Sequence, residues 1–385
     1  MKVLMVVGEF PPQMGGVSDY SALLAQELAV LGLHVTVLTT KVKDQEKRSL
    51  RQGVEVRRVI SEWRLSEIRS ILRIIDEMGP DTIVNLMYGC FPTRRRPMVN
   101  LLPLFLRLLR PHCRVVVTIH DFRTQRTRWR AWAIPMIMAA HGLIFVDPPD
   151  RELLLRWTKL KRPRMECIPV APNILPVPVT DDQRRAWRQR LGVLDGTPVV
   201  VFFGGVLRHK GLLDLLEAIN RLRRDGIPGS LLVIGWFGPD PVANQDYERG
   251  VREALAEGLS AGWIKLEEKC ASDTVSEYLH ASDVAVFPFV RGARCNNASL
   301  LAAVAHGLPV VATRGVDTPE GFAEQYGVAL VPAGNPAALA KCLRETLLSE
   351  EQKKSLRTRA LQAARAFSWP SIACATAAFY SSLRA

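Results

Sequence analysis

The stretch VVVFFGGVLRHKGLLDLLEAI, residues 199–219, passes from an unbroken apolar run through two glycines into a helical repeat. Residues 199–203 are all apolar and mostly β-branched, which reads as a strand buried on both faces. Helical spacing begins at Leu212 and continues to residue 223. On the C-terminal side the same alternation predicts strands at 231–234, 263–266, 284–287 and 310–312, and helices at 247–256, 274–280, 299–305, 336–348 and 350–367. On the N-terminal side it predicts strands at 3–7, 35–38, 55–60, 82–86, 115–119, 143–146 and 167–170, with helices at 18–31, 65–78 and 101–110. Apolar strands alternating with helices imply a parallel sheet covered on both faces. Between the two series lies VAPNILPVPVT, residues 170–180, whose three prolines and lack of periodicity mark a linker. The expected fold is α/β: two doubly wound Rossmann-like domains, 1–175 and 176–367, facing each other across a cleft.

Composition narrows the function. The 385 residues exceed one ordinary core, and 48% hydrophobic with 23% charged residues suits a globular protein. No run of about 18 apolar residues occurs, so no spanning helix is expected. The apolar run after Lys2 is short and ends in a proline pair, so it reads as a first strand and not a signal peptide. Seven scattered cysteines without CxxC or Cys/His spacing point away from a disulfide framework and a zinc site, and the expected location is the cytoplasm. The net charge of +13 is uneven: residues 1–175 carry 27 Lys+Arg against 16 Asp+Glu, the remainder 24 against 22. Arg94-Arg95-Arg96, RTQRTRWR at 123–130 and KLKRPR at 159–164 supply much of the surplus. It suits an anionic partner such as a membrane surface, or else a solvated arginine-rich exterior. The group Arg128-Trp129-Arg130-Ala131-Trp132 reads either as an interfacial foot or as a helix half-buried in the first domain.

Candidate chemistry gathers where strands end. Gly15-Gly16 precedes the first helix, where bare N–H groups can approach a phosphate. Asp19 lies in the first turn of that helix. His120-Asp121 follows the run VVVTI, so a strand's carboxyl end would present His120 to a sugar hydroxyl or to acid/base work, and Asp121 to an acceptor. Lys210, beside Gly211 at a helix start, can neutralise a diphosphate as a point charge. The stretch RGARCNNASLLAAVAHGLPVVAT, residues 291–313, brings Arg294, Asn296, Asn297, Ala298 and Ser299 to another helix entry. Neither GxxxxGK[ST] nor GxGxxG is present.

PPxxGG near the start, TIHD at a strand end, GGVLRHKG and AHGLPVVAT, in that order, resemble retaining glycosyltransferases of the GT-B fold, family 4. The resemblance covers essentially the whole chain. It includes FSWPSIACATAAFYSSL, similar to the family's last helix, which implies that residues 368–385 pack back on the first domain. It implies a hexosyl transfer from a nucleotide sugar to a lipid-linked or polysaccharide acceptor, with retention and without a metal. Acceptor contacts are expected from Asp19, Asp121, Arg94, Arg95 and Arg96, and donor contacts from Gly15, Gly16, Gly205 and Lys210. His120 would meet the transferred sugar, and Lys269 and Cys270, beyond Glu268, would flank the base.

Two departures stand out. Gly205 occupies a position where the family has Arg, and Arg294 and Ala302 replace its two glutamates eight apart. Arg294, with the N–H groups around Asn296, Asn297, Ala298 and Ser299, is expected to take over diphosphate neutralisation. His120, Lys210 and Arg294 are thus the expected catalytic set. The missing carboxylates leave a second possibility, a binding or scaffold protein that kept the fold without turnover. Nucleic-acid binding lacks a helix-turn-helix or aromatic sheet motif. A peripheral position at the inner membrane face is compatible with the basic first half.

Overall fold

A computed structural model describes every residue except 14, 90–96, 159–162, 195, 238–244, 269 and 385. The chain divides into two compact units, residues 1–171 with 367–385, and residues 172–366. The division falls inside the proline-rich segment, four residues before the expected boundary at 175.

In chain order the first unit comprises β1 (Lys2–Val6), α1 (Gly16–Val30), β2 (His34–Thr40), β3 (Arg48–Arg51), β4 (Val54–Ile60), α2 (Ile68–Met78) and β5 (Thr82–Tyr88). It continues with α3 (Pro97–Leu109), β6 (Arg114–Ile119), α4 (Thr127–Trp132), α5 (Ile134–Ala139), β7 (Gly142–Phe145), α6 (Pro148–Thr158) and β8 (Arg164–Cys167). Its sheet has the order β3-β4-β2-β1-β5-β6-β7-β8. All neighbours are parallel except β3 and β4, an antiparallel pair outside the expected series. The sequence of β3, RSLR, lacks an apolar face, and it lies at the sheet edge. The strand expected at 167–170 instead ends at Cys167, where Phe145 pairs Cys167, because Pro169 has no N–H to extend the ladder. The helix expected from residue 65 opens with a separate 3₁₀ turn, Leu65–Glu67. The Glu67 carboxylate there accepts from the N–H groups of Ser61, at 2.6 Å, and Arg64, at 3.0 Å.

The second unit comprises α7 (Asp181–Arg190), β9 (Val199–Phe203), α8 (Leu212–Arg224), β10 (Ser230–Gly235), α9 (Gln245–Ser260), β11 (Ile264–Glu268) and α10 (Ser272–Ala281). Then follow β12 (Val284–Phe287), α11 (Ala298–Ala305), β13 (Val310–Arg314), α12 (Phe322–Tyr326), β14 (Ala329–Pro332), α13 (Pro336–Leu348) and α14 (Glu350–Ala364). The sheet order is β11-β10-β9-β12-β13-β14, parallel throughout. Val200, Phe202, Leu231 and Val233 form a core with Leu215, Ile219, Val251 and Leu343 of α8, α9 and α13. These four residues of β9 and β10, with three helices, close one face of the sheet against water.

The last helix, α15 (Trp369–Ser382), belongs to the first unit. Asn85, buried in the middle of β5, would be costly there without partners. Its amide donates to the Tyr380 hydroxyl at 2.6 Å, and its carbonyl accepts from Thr118 Oγ1 at 3.0 Å. A Cβ on Gly142 would lie 2.7 Å from the Phe379 ring, so the bare glycine at the start of β7 lets α15 lie against the sheet.

Candidate active site

In the second unit the chain runs from β9 to β10 and β11, then returns to the opposite side of β9 with β12. The strand order reverses between β9 and β12, and doubly wound sheets bind ligands beyond the strand ends at such a point. Gly204-Gly205 follows β9, Lys210 ends a single 3₁₀ turn, and the loop carrying Arg294 follows β12. Gly211 has φ 72°, and a Cβ there would lie 1.9 Å from the Pro288 carbonyl oxygen. Only glycine allows this crossing. With the Val290 N–H donating to His209 O at 3.1 Å, the crossing holds the Lys210 turn beside the post-β12 loop.

Lys210 is half-buried, with Nζ 4.9 Å from the centre of the Phe289 ring. Burial, and then the nearby Arg294 guanidinium, push its pKa down to about 8. Two cations are therefore brought near enough to repel each other at the switch point. The Arg294 backbone is fixed on both sides: its N–H donates to Asn297 Oδ1 at 2.7 Å, and its carbonyl accepts from the Asn297 N–H at 3.1 Å. Arg291 forks onto buried Asp317 at 2.8 and 2.9 Å, anchoring the start of the loop.

Part of the expected anion cradle is already committed. The N–H of Asn297 bonds Arg294 O and that of Ala298 bonds Asn296 O, both at 3.1 Å, because the chain turns tightly before α11. Both amides are thus engaged within the turn itself. Ser299 is better placed: its Oγ lies 3.7 Å from where a Cβ on Gly204 would be. Asn296, three residues earlier, is half-buried. A Cβ on Gly205 would lie 3.3 Å from the Trp236 indole, so an indole crowds the position where the resemblance leads one to expect arginine. Ala302 is fully buried and offers only its carbonyl, which His306 Nδ1 contacts at 2.7 Å. Cys270 is half-buried, and burial raises its thiol pKa. Lys269 lies outside the described residues.

In the first unit the order reverses between β1 and β5. Gly15 ends the loop after β1 as the N-cap of α1, and Gly16 is the first residue of that helix. A Cβ on Gly16 would meet nothing within 4 Å, so its bareness leaves open space, whereas one on Gly15 would come 2.9 Å from the Glu9 carboxylate. Asp19 is half-buried in the first turn of α1, its N–H bonded to Gly15 O at 2.9 Å. His120 stands at the carboxyl end of β6, 6% exposed, with the Tyr20 ring edge-on at 4.7 Å. Burial pushes its pKa down to about 3. The ring is neutral at physiological pH, which suits a hydrogen bond to a hydroxyl and makes it a weak base. Asp121 accepts from Thr124 Oγ1, tying it to its own loop. That loop is held by buried Asp150, whose carboxylate accepts from the N–H groups of Phe122 and Arg123 at 3.0 Å each.

Arg123 pairs with buried Asp147 at 3.1 Å, and Arg130 Nε donates to Gln125 O at 2.9 Å, so two cations of the basic stretch serve the fold. Arg126 and Arg128 remain exposed. The six-residue α4 contains no fully buried residue, but Trp129 and Arg130 are half-buried, with the Arg130 guanidinium over the Trp157 ring at 5.0 Å. Arg94, Arg95 and Arg96 lie outside the described residues. Sequence reasoning did not single out Trp236, Gly89 or Asp150. A Cβ on Gly89, at φ 138°, would lie 3.0 Å from His120 Cβ. Its signal is its place just after an apolar strand. Among the described residues no cluster of three metal-ligating side chains occurs, and no helix is long and apolar enough to cross a membrane.

Two family models match the chain. One described as glycosyl transferases group 1 covers residues 197–349, and one described as a glycosyl transferase 4-like domain covers 15–171. The chain is 30% identical over 412 residues to a D-inositol 3-phosphate glycosyltransferase of Corynebacterium glutamicum, spanning 96% of this chain and 91% of that protein. It is 27% identical over 336 residues to a GDP-mannose-dependent alpha-(1-6)-phosphatidylinositol monomannoside mannosyltransferase of Mycolicibacterium smegmatis, covering 83% and 82%. Among solved structures, a sucrose-phosphate synthase from Thermosynechococcus elongatus superposes with a TM-score of 0.78 at 20% identity, over 99% of this chain and 98% of that one.

Proposed function

Because the chain belongs to the group 1 glycosyltransferases, enzymes of the GT-B fold, we propose that it moves a hexosyl unit from a nucleotide sugar to a hydroxyl of a lipid-linked or glycan acceptor, retaining the anomeric configuration. The observation that carries the donor side is the crossing at Gly211 and Pro288, which sets the Lys210 amine beside the loop that carries the Arg294 guanidinium at the switch point of the second sheet. The repulsion between the two cations is relieved by a dianion, and a diphosphate supplies one. As the bond from the anomeric carbon breaks, its electron pair goes to the diphosphate, and fixed cations stabilise that charge. Arg294 thereby stands in for the cation absent at Gly205. His120 contributes a neutral hydrogen-bonding group suited to a sugar hydroxyl. No step requires a metal ion. The purified chain is to be incubated with a panel of nucleotide sugars and candidate acceptors while nucleotide release is followed. We expect one donor to be consumed and its product to show retained configuration by NMR. Arg294→Ala should weaken that donor at least tenfold, a loss in the range of a charge-assisted contact of about 1.5–3 kcal/mol. Unchanged donor binding in the variant would sink the role of Arg294.

An acceptor at an anionic bilayer is favoured by α3. At about 100° per residue, Pro97, Leu101, Leu104, Phe105 and Leu108 share its outward side, and Leu104 and Leu108 are 39% and 69% exposed. Helices apolar all round normally lie buried. Asn100 of α3 holds the Trp132 carbonyl at 3.1 Å, bringing exposed Trp132 and the exposed arginines 126 and 128 into the neighbourhood. Trp, Leu and Arg together suit a headgroup layer. The names of both relatives refer to inositol phosphate or phosphatidylinositol compounds, which agrees with an anionic acceptor. Co-sedimentation with vesicles rich in anionic lipid should retain the chain, and Leu104→Gln with Leu108→Gln should release it. Absence of retention at low salt would refute the membrane reading.

A further inference from the structure

Resting on the donor reading above, we infer that Trp236 is the nucleobase platform of this enzyme, a stacking face for the base of the donor nucleotide.

The strand registers place it. At the carboxyl edge of the second sheet, Gly235 of β10 pairs Glu268 of β11, and Ile234 pairs Phe203 of β9. Trp236 therefore stands one strand from the Gly204-Gly205 turn and one strand, on the other side, from the end of β11. Neighbouring strands are about 4.8 Å apart, so the row from the β9 turn to the β11 end spans roughly 10 Å. The Trp236 carbonyl accepts from the Val206 N–H at 2.9 Å, which locks the backbone of this residue to the glycine turn. Its indole lies against the turn itself, 3.3–3.4 Å from where a Gly205 Cβ would be.

Alternation along the strand fixes the side. Phe237 packs with the core under α8 and α9, beside the guanidinium of Arg252 at 3.7 Å. Trp236 points the opposite way and is half-exposed. The two glycines thus have a hydroxyl wall at Ser299 on one flank and an indole wall on the other. A ligand with its diphosphate at Lys210 and Arg294 and a flat aromatic ring on the far side of a ribose fits that division. A nucleoside diphosphate is that ligand. Ala302, where the resemblance leads one to expect a glutamate, is fully buried and offers a ligand no side-chain hydrogen bond, so affinity for the nucleoside has to come from another surface. Base–aromatic stacking is a face-to-face contact that tolerates every base. It also explains Gly205: an arginine there would have to displace the indole.

The test is a calorimetric titration of wild type, Trp236→Ala and Trp236→Phe with UDP, GDP, ADP and inorganic pyrophosphate. Trp236→Ala should weaken the best nucleoside diphosphate about tenfold or more and leave pyrophosphate unchanged, while Trp236→Phe stays within a few-fold of wild type. Equal nucleotide affinity in wild type and Trp236→Ala would overturn the assignment. Equal loss of pyrophosphate and nucleotide would also overturn it, showing that the indole only supports the fold. A wild type that binds pyrophosphate but no nucleoside diphosphate would overturn the platform while leaving the anion site standing. A wild type that binds neither would overturn the donor reading beneath it.

Discussion

Lys210 keeps its proton at neutral pH but holds it far less firmly than a free lysine, with a pKa of about 8 set by burial and Arg294. A diphosphate beside it favours the charged form, so donor binding raises that pKa and takes up a proton whenever the pH lies above 8. Donor affinity should therefore fall as the pH climbs from 7 to 9.5, by roughly tenfold or more if binding requires the charged amine. In Lys210→Arg the decline should disappear, because guanidinium keeps its proton over this range. Calorimetry at pH 8.5 in buffers of different ionisation enthalpy would reveal the proton uptake. A flat wild-type profile would remove Lys210 from the diphosphate site. His120 of the first unit behaves oppositely: burial holds its ring neutral over this whole pH range.

Among the elements, α15 is the most exposed to single substitutions because its seat depends on Gly142. Gly142→Val should destabilise the first unit by about 1–3 kcal/mol through overpacking against Phe379. Limited proteolysis would report it as early cleavage within residues 369–382. Nucleotide binding by the second unit should stay within a few-fold. The strand–helix alternation was legible in the sequence because burial on both faces leaves unbroken apolar runs such as Val199–Phe203. Strand β3 was not, since RSLR carries no such run and is recruited by antiparallel pairing with β4. The site divides the same way. Gly204, Gly205, Lys210 and Gly211 are close in sequence and could be read together. Trp236 meets Gly205 only through the register of two strands, which no local pattern encodes. The turn that engages the Asn297 and Ala298 amides depends on how the chain reverses before α11, and residue types alone do not specify that.

For the whole molecule, each unit buries one neutral histidine: His120, with a pKa of about 3, and His306, with a pKa of about 4. Burial is the main cause in both. Below pH 6.5 the unfolded chain protonates these residues while the folded units do not, so unfolding is favoured progressively as the pH falls toward the folded values. Each contributes a loss of about 2 kcal/mol at pH 5 relative to neutral pH. His306→Gln should narrow the gap in Tm of the second unit between pH 7.5 and pH 5 by roughly 4–8 °C. A gap as wide as in wild type would show that carboxylates, not this histidine, govern its acid lability.

The bond from Asn85 to Tyr380 joins residues 295 positions apart, with the whole second unit between them in the chain. During synthesis the first unit therefore emerges early but with one wall missing. The buried amide of Asn85 and the bare start of β7 have no cover until α15 leaves the ribosome. Domains made at about 5–20 residues per second ordinarily close as they emerge. Here the second unit can finish first although it is made later. The cell must shelter a half-covered sheet for the time that some two hundred further residues take to be made, a delay of about 10–40 s at those rates. Any premature stop before residue 369 makes that unfinished state permanent.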